Sequence, residues 1–67
     1  MTDSQRVLAF LRRLRDLWLT EDDIAWGVEL APELLRPILY FFWKRSYLQR
    51  RVERDGICWR WSWHAAS

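Results

Sequence analysis

The chain has one cysteine, one histidine, two glycines and two prolines in 67 residues. A single cysteine excludes an internal disulfide, and one His with one Cys cannot fill a tetrahedral zinc site. No metal or other cofactor is expected, and a reducing, cytoplasmic compartment follows from the cysteine usage. The chain has no basic-then-apolar leader, and its longest apolar run, Ile38 to Trp43, is too short to span a bilayer. It also lacks a glycine-rich phosphate cradle, paired carboxylates with a matching base, and a second histidine, so nothing supports an enzyme.

Aromatic residues are abundant instead: six Trp, three Phe and two Tyr. A chain of this length is expected to form one domain over 1–67, with an ordered core of about 4–63, near the lower size limit for folding without a staple. Large rings offset that limit because each buries more apolar area than an aliphatic side chain. Charge is divided unevenly. Residues 1–43 hold five arginines and seven acids, net −2, whereas residues 44–67 hold six bases and two acids, net +4.

Thr2 or Asp3 can cap a first helix, expected from about Ser4 to Trp18. In it Val7, Phe10, Leu11, Leu14, Leu17 and Trp18 share one arc of about 120°. Arg6, Arg12, Arg13 and Arg15 border that arc as a solvated edge whose stems cover apolar rims. Thr20 and Asp23 have capping-box spacing for a second helix over about Glu21 to Gly27, with Ile24, Ala25 and Val28 as its buried stripe. Pro32 suits the first position of a third helix, reaching about Ser46. There Leu35, Ile38, Leu39 and Phe42 face inward while Glu33, Arg36, Pro37, Tyr40 and Lys44 face outward. Pro37 is expected to kink this helix or to mark its effective start. Phe41 and Trp43 fall on its flanks, where they would meet a protein partner or a second copy.

Asp55-Gly56 is a type I′ hairpin signal. With those two residues as the loop, Val52 opposes Trp59, Arg50 opposes Trp61 and Leu48 opposes Trp63 on the core face. Arg51 then opposes Arg60 and Glu53 opposes Cys58 on the other. Two facing arginines repel each other unless an anion lies between them, so Arg51 and Arg60, with Arg54 near the tip, form the best phosphate-binding surface. Cys58 reads as a small strand residue, and His64 falls in a short tail.

Ile24-Ala25, Val28, Leu30, Pro32-Glu33, Leu35-Arg36 and Leu39 follow the apolar and turn pattern of a bacterial helix-turn-helix. With a helix before and a hairpin after, residues 4 to 63 resemble a winged helix-turn-helix domain: α+β, three helices followed by a two-stranded wing. Glu29 stands where the family usually has a turn glycine, Ala31 where it has a capping serine, and Ser46 where glycine commonly opens the step into the wing. Small accessory proteins of ferrous iron transport share the layout, but their wing cysteine cluster is absent.

The resemblance implies a regulator that binds double-stranded DNA. In it Arg36 reads guanine, Tyr40 donates or stacks, and Lys44, Arg51, Arg54 and Arg60 hold the backbone; a dimer would supply specificity. The alternative is a protein-interaction or adaptor module, motivated by Glu33, Pro37, five acids without a base between Leu19 and Glu33, and the rings of Phe41 and Trp43. A minor reading takes the Arg/Trp alternation from Cys58 to Trp63 as a membrane-surface segment.

Overall fold

A computed structural model describes residues 2–62. The expectations for Trp63 and His64 lie outside them. The chain is α+β: three helices packed on an antiparallel sheet of three strands, in the order α1 (Asp3–Arg13), β1 (Leu19–Thr20), α2 (Glu21–Val28), α3 (Pro32–Lys44), β2 (Leu48–Glu53), β3 (Gly56–Trp61). This layout is compatible with a winged helix. Among the described residues, no helix is long and apolar enough to cross a membrane.

Two capping boxes start the first two helices. The Thr2 hydroxyl accepts from the Gln5 amide at 3.2 Å while Gln5 Oε1 accepts from the Thr2 amide. Thr20 and Asp23 repeat the arrangement at 3.1 and 3.3 Å. Each box satisfies two amides that the first helical turn would otherwise leave unpaired. Arg6, expected only to border the apolar arc, donates to the carbonyl of Val28 at the opposite end of α2. Gly27 lets α1 approach there: a Cβ at that position would lie 2.3 Å from Phe10 Cζ.

Helix α1 stops at Arg13, well short of Trp18. Leu14, Leu17 and Trp18 continue the helical spacing, yet Leu19 and Thr20 are drawn into the sheet beside Trp59 and Cys58. Extended backbone immediately before the α2 cap overrides the local helical pattern. The hairpin is therefore part of a three-stranded sheet, ordered β1-β3-β2, and not a free two-stranded ribbon. Helix α3 begins at Pro32 and runs through Pro37, which lies on its exposed side.

Two departures from glycine meet the conformation glycine would favour. Glu29 has φ 58° and Ser46 has φ 66°. Ser46 closes α3: its amide donates to the Trp43 carbonyl and that of Tyr47 donates to the Phe42 carbonyl at 3.0 Å, the two bonds of a Schellman motif. An L residue in this region carries about 1 kcal/mol of strain. We expect Glu29→Gly and Ser46→Gly each to stabilise the fold by about 0.5 kcal/mol after the added chain entropy is offset. Each should then raise Tm by roughly 2–4 °C. A thermal melt showing a fall for both variants would refute this account of the two turns.

The hairpin register differs from expectation by two residues. Glu53 pairs with Gly56, Val52 with Ile57, Arg51 with Cys58, Arg50 with Trp59, Gln49 with Arg60 and Leu48 with Trp61. Arg54 and Asp55 form the loop, and neither has positive φ. Gly56 instead takes φ 133° at the head of β3, a conformation side chains rarely adopt. A type I′ turn would force positive φ on both loop residues, whereas this turn asks it only of the glycine.

An even slip preserves the faces, so Trp59 still points into the core and is fully buried. It meets Val7, Leu11, Ile24, Ala25, Val28, Leu35, Leu39, Phe42 and Leu48. Val52, expected on the core face over Trp59, extends past the core and is 69% exposed. Trp61 is only partly buried.

Candidate nucleic-acid interface

The outward side of α3 is less available than its sequence implies. Arg36 Nε lies 3.1 Å from Glu21 Oε1, tying this helix to the first turn of α2. Such a surface pair contributes under about 1 kcal/mol, but it commits the guanidinium to a carboxylate. Tyr40 is half-buried. Its ring stands edge-on to Trp59 at 5.5 Å and to Trp43 at 6.0 Å, so it packs the junction of helix and sheet. Lys44, in the last turn, is exposed without a partner among the described residues.

The hairpin arginines divide into tied and open ones. Arg51 pairs with Glu53 and lies over Trp18 at 4.4 Å. Arg60 gives two donors to Gln49 Oε1, at 3.1 and 2.8 Å, and lies over the same Trp18 ring at 4.9 Å. These two arginines do not face each other, because the register sets Arg51 against Cys58 and Arg60 against Gln49. They still converge, with one indole between or beside them in place of the expected anion. Arg54 sits exposed in the loop with no partner among the described residues.

Two cations were not among the expected ligands. Arg45 lies over Phe41 at 4.3 Å, and Arg50 lies over Trp43 at 4.6 Å and Tyr40 at 5.6 Å. The i, i+4 spacing of Phe41 and Arg45 was visible in the sequence. The contact between Arg50 and Trp43 joins β2 to α3 and could not be read from local pattern. Phe41 and Trp43, the expected partner residues, remain 49% and 36% exposed even with their guanidinium covers.

A stacked guanidinium keeps its in-plane N–H donors at its rim. It is held in position yet open to an oxygen acceptor. Lys44, Arg45, Arg50, Arg54 and Arg60 have no carboxylate partner among the described residues, and all belong to the end of α3 or to the hairpin. Of the acidic residues, Glu21, Asp22 and Asp23 occupy the first turn of α2 with Glu29 at its end, while the hairpin itself carries Glu53, paired with Arg51, and Asp55 in its loop.

Trp26 escaped sequence reasoning. It is 88% exposed, opposite the stripe of Ile24, Ala25 and Val28. Asp22 and Asp23 lie four and three residues before it and Glu29 three after, the spacings of helical surface neighbours. Its position off the apolar stripe was the available signal.

Among the described residues, no group of three or more His, Cys, Asp and Glu side chains could hold a metal ion. Cys58 is buried between its neighbours Thr20 and Arg51. No protein-family model matches the chain, and no curated protein matches it either.

Proposed function

We propose that the chain is a winged helix-turn-helix protein that binds duplex DNA, chiefly through phosphates, with the end of α3 and the hairpin as its contact surface. The observation that carries this reading is the clustering of Lys44, Arg45, Arg50, Arg54 and Arg60, which have no carboxylate partners among the described residues. The first half of α3 contributes little, since Arg36 is engaged by Glu21 and Glu33 adds negative charge. Phosphate contact gives affinity without base readout, so one copy of the chain binds weakly and with little sequence preference.

If all five cations meet phosphates, log K should fall against log salt with a slope of about −4.5, at roughly 0.9 per contact. That slope corresponds to a few hundredfold between about 50 and 200 mM salt. Fluorescence anisotropy with a mixed-sequence duplex measures it. No binding at tens of micromolar protein in low salt would end the proposal.

A second reading, a protein-docking module, is favoured by Trp26 with its acidic neighbours and by the exposed ring of Phe41. Its simplest case is self-association through Trp26. Sedimentation of the wild type at millimolar concentration should show a mass above the monomer that Trp26→Ser abolishes. A monomer in both removes that case.

A further inference from the structure

Trp18, just before β1, and Trp43, near the end of α3, line one open groove of about 590 Å³ together with Leu48, Arg50, Arg60 and Ser62. Trp43 carries one guanidinium, Arg50 at 4.6 Å from its ring centre, and Trp18 carries two, Arg51 at 4.4 Å and Arg60 at 4.9 Å. We propose that this groove binds an unpaired nucleotide of single-stranded nucleic acid, with the base against an indole and its phosphate on Arg50 or Arg60.

The argument starts from what the two kinds of side chain require. A guanidinium offers five N–H donors in one plane and matches the spread oxygens of a phosphate. Arg60 gives two of the five to Gln49, leaving three, and Arg50 gives none to any acceptor among the described residues. Neither has a carboxylate partner there. Phosphate alone would satisfy those donors. It would not use the aromatic walls.

Indoles outside the core need another explanation. Trp59 fills the interior, whereas Trp43 stays 36% exposed and Trp18 is only partly buried. An aromatic wall offers an unpaired base a stacking surface worth about 1–3 kcal/mol. A duplex gains nothing from it because its bases are already stacked inside. The groove volume of about 590 Å³ falls within the roughly 300–1,000 Å³ range of small-ligand clefts, which suits one nucleotide.

The surroundings let a strand continue past that nucleotide. Strand β2 forms a sheet edge, since among the described residues it pairs only with β3, and its residues Leu48, Gln49 and Arg50 line the groove. Lys44 and Arg45 follow Trp43 directly in the chain and supply further positive charge. The inference shares Arg50 and Arg60 with the duplex reading but stands on Trp18 and Trp43, which duplex phosphates leave unused.

Amide and indole N–H shifts of the wild-type chain provide the test, titrated in separate arms with short oligothymidylate, oligouridylate, thymidine monophosphate and a duplex. The indole signals of Trp18 and Trp43 should move with both oligonucleotides, while that of exposed Trp26 stays fixed as an internal reference. Trp43→Leu should weaken single-strand binding by about five- to hundredfold and duplex binding, through Arg50 alone, by less. Rescue of single-strand affinity by Trp43→Phe would confirm a stacking role over a packing one.

Unmoved Trp18 and Trp43 signals at millimolar oligonucleotide would overturn the proposal, as would a folded Trp43→Leu with undiminished single-strand affinity. Shifts with the monophosphate alone, and none with the oligonucleotides, would assign the groove to a free nucleotide and overturn the strand. Loss of duplex binding in the wild type, with the single-strand shifts intact, would end the reading of the previous section and leave this one standing.

Discussion

Trp59→Ala should remove most of the stability of the fold, about 3–5 kcal/mol. A chain of this size has roughly 3–10 kcal/mol in total. Trp59 is fully buried on the central strand, opposite Leu19 on one side and Arg50 on the other, with the Tyr40 ring edge-on at 5.5 Å. Truncation opens a cavity where α1, α2, α3 and the sheet all meet, and no neighbouring side chain can fill it without leaving its own packing. Its indole Nε1 is buried with no acceptor among the described residues. Trp59→Phe therefore loses ring volume but also removes an unsatisfied donor, and the two effects oppose each other. Urea unfolding followed by circular dichroism should rank wild type and Trp59→Phe within about 1 kcal/mol, with Trp59→Ala far below. A loss of less than about 2 kcal/mol in the alanine variant would show that the core is not centred on this ring.

The second large effect concerns duplex binding. Lys44→Glu combined with Arg54→Glu should weaken it by about a hundredfold at low salt and reduce the log–log salt slope by about 2, one contact for each residue. Both side chains are exposed and neither has a partner among the described residues, so the exchange leaves packing untouched. Arg36→Gln is the contrasting variant. Arg36 is paired with Glu21, and its loss should change affinity by about twofold at most. Thermal melts establish that each variant is folded. If Arg36→Gln proves as damaging as the double reversal, the front of α3 enters the groove and the contact surface proposed here is misplaced.

Much of the helical layer was legible because its signals are local. The Thr20/Asp23 box, Pro32 at the first position of α3, and the buried residues Ile24, Ala25, Val28, Leu35, Leu39 and Phe42 follow from capping chemistry and from a 3.6-residue period. Glu29 and Ser46 were recognisable as positions that ask for glycine, and both adopt positive φ without it. Strand β1 was not legible. Two residues have no period, and Leu14, Leu17 and Trp18 before them imitate a continuing helix. The hairpin faces were readable while its register was not: alternation fixes parity, but only the loop φ angles decide between Asp55-Gly56 and Arg54-Asp55. In the candidate site the residue types were anticipated and their engagements were not. The Arg36–Glu21 pair, the Trp18 ring shared by Arg51 and Arg60, and the Arg50–Trp43 contact all join residues that do not share an element.

Leu19 and Thr20 have a mechanical consequence out of proportion to their number. They hold β3 from the side opposite β2, so the hairpin is no pendulum on a hinge. Peeling it away severs residue 19 from residue 59, and with that link goes the seat of Trp59 in the interior. Wing and helices therefore melt as one cooperative unit. Cutting the chain after Tyr47 should leave no independent helical remnant, and the guanidinium groups along the hairpin are held on a frame already fixed in space.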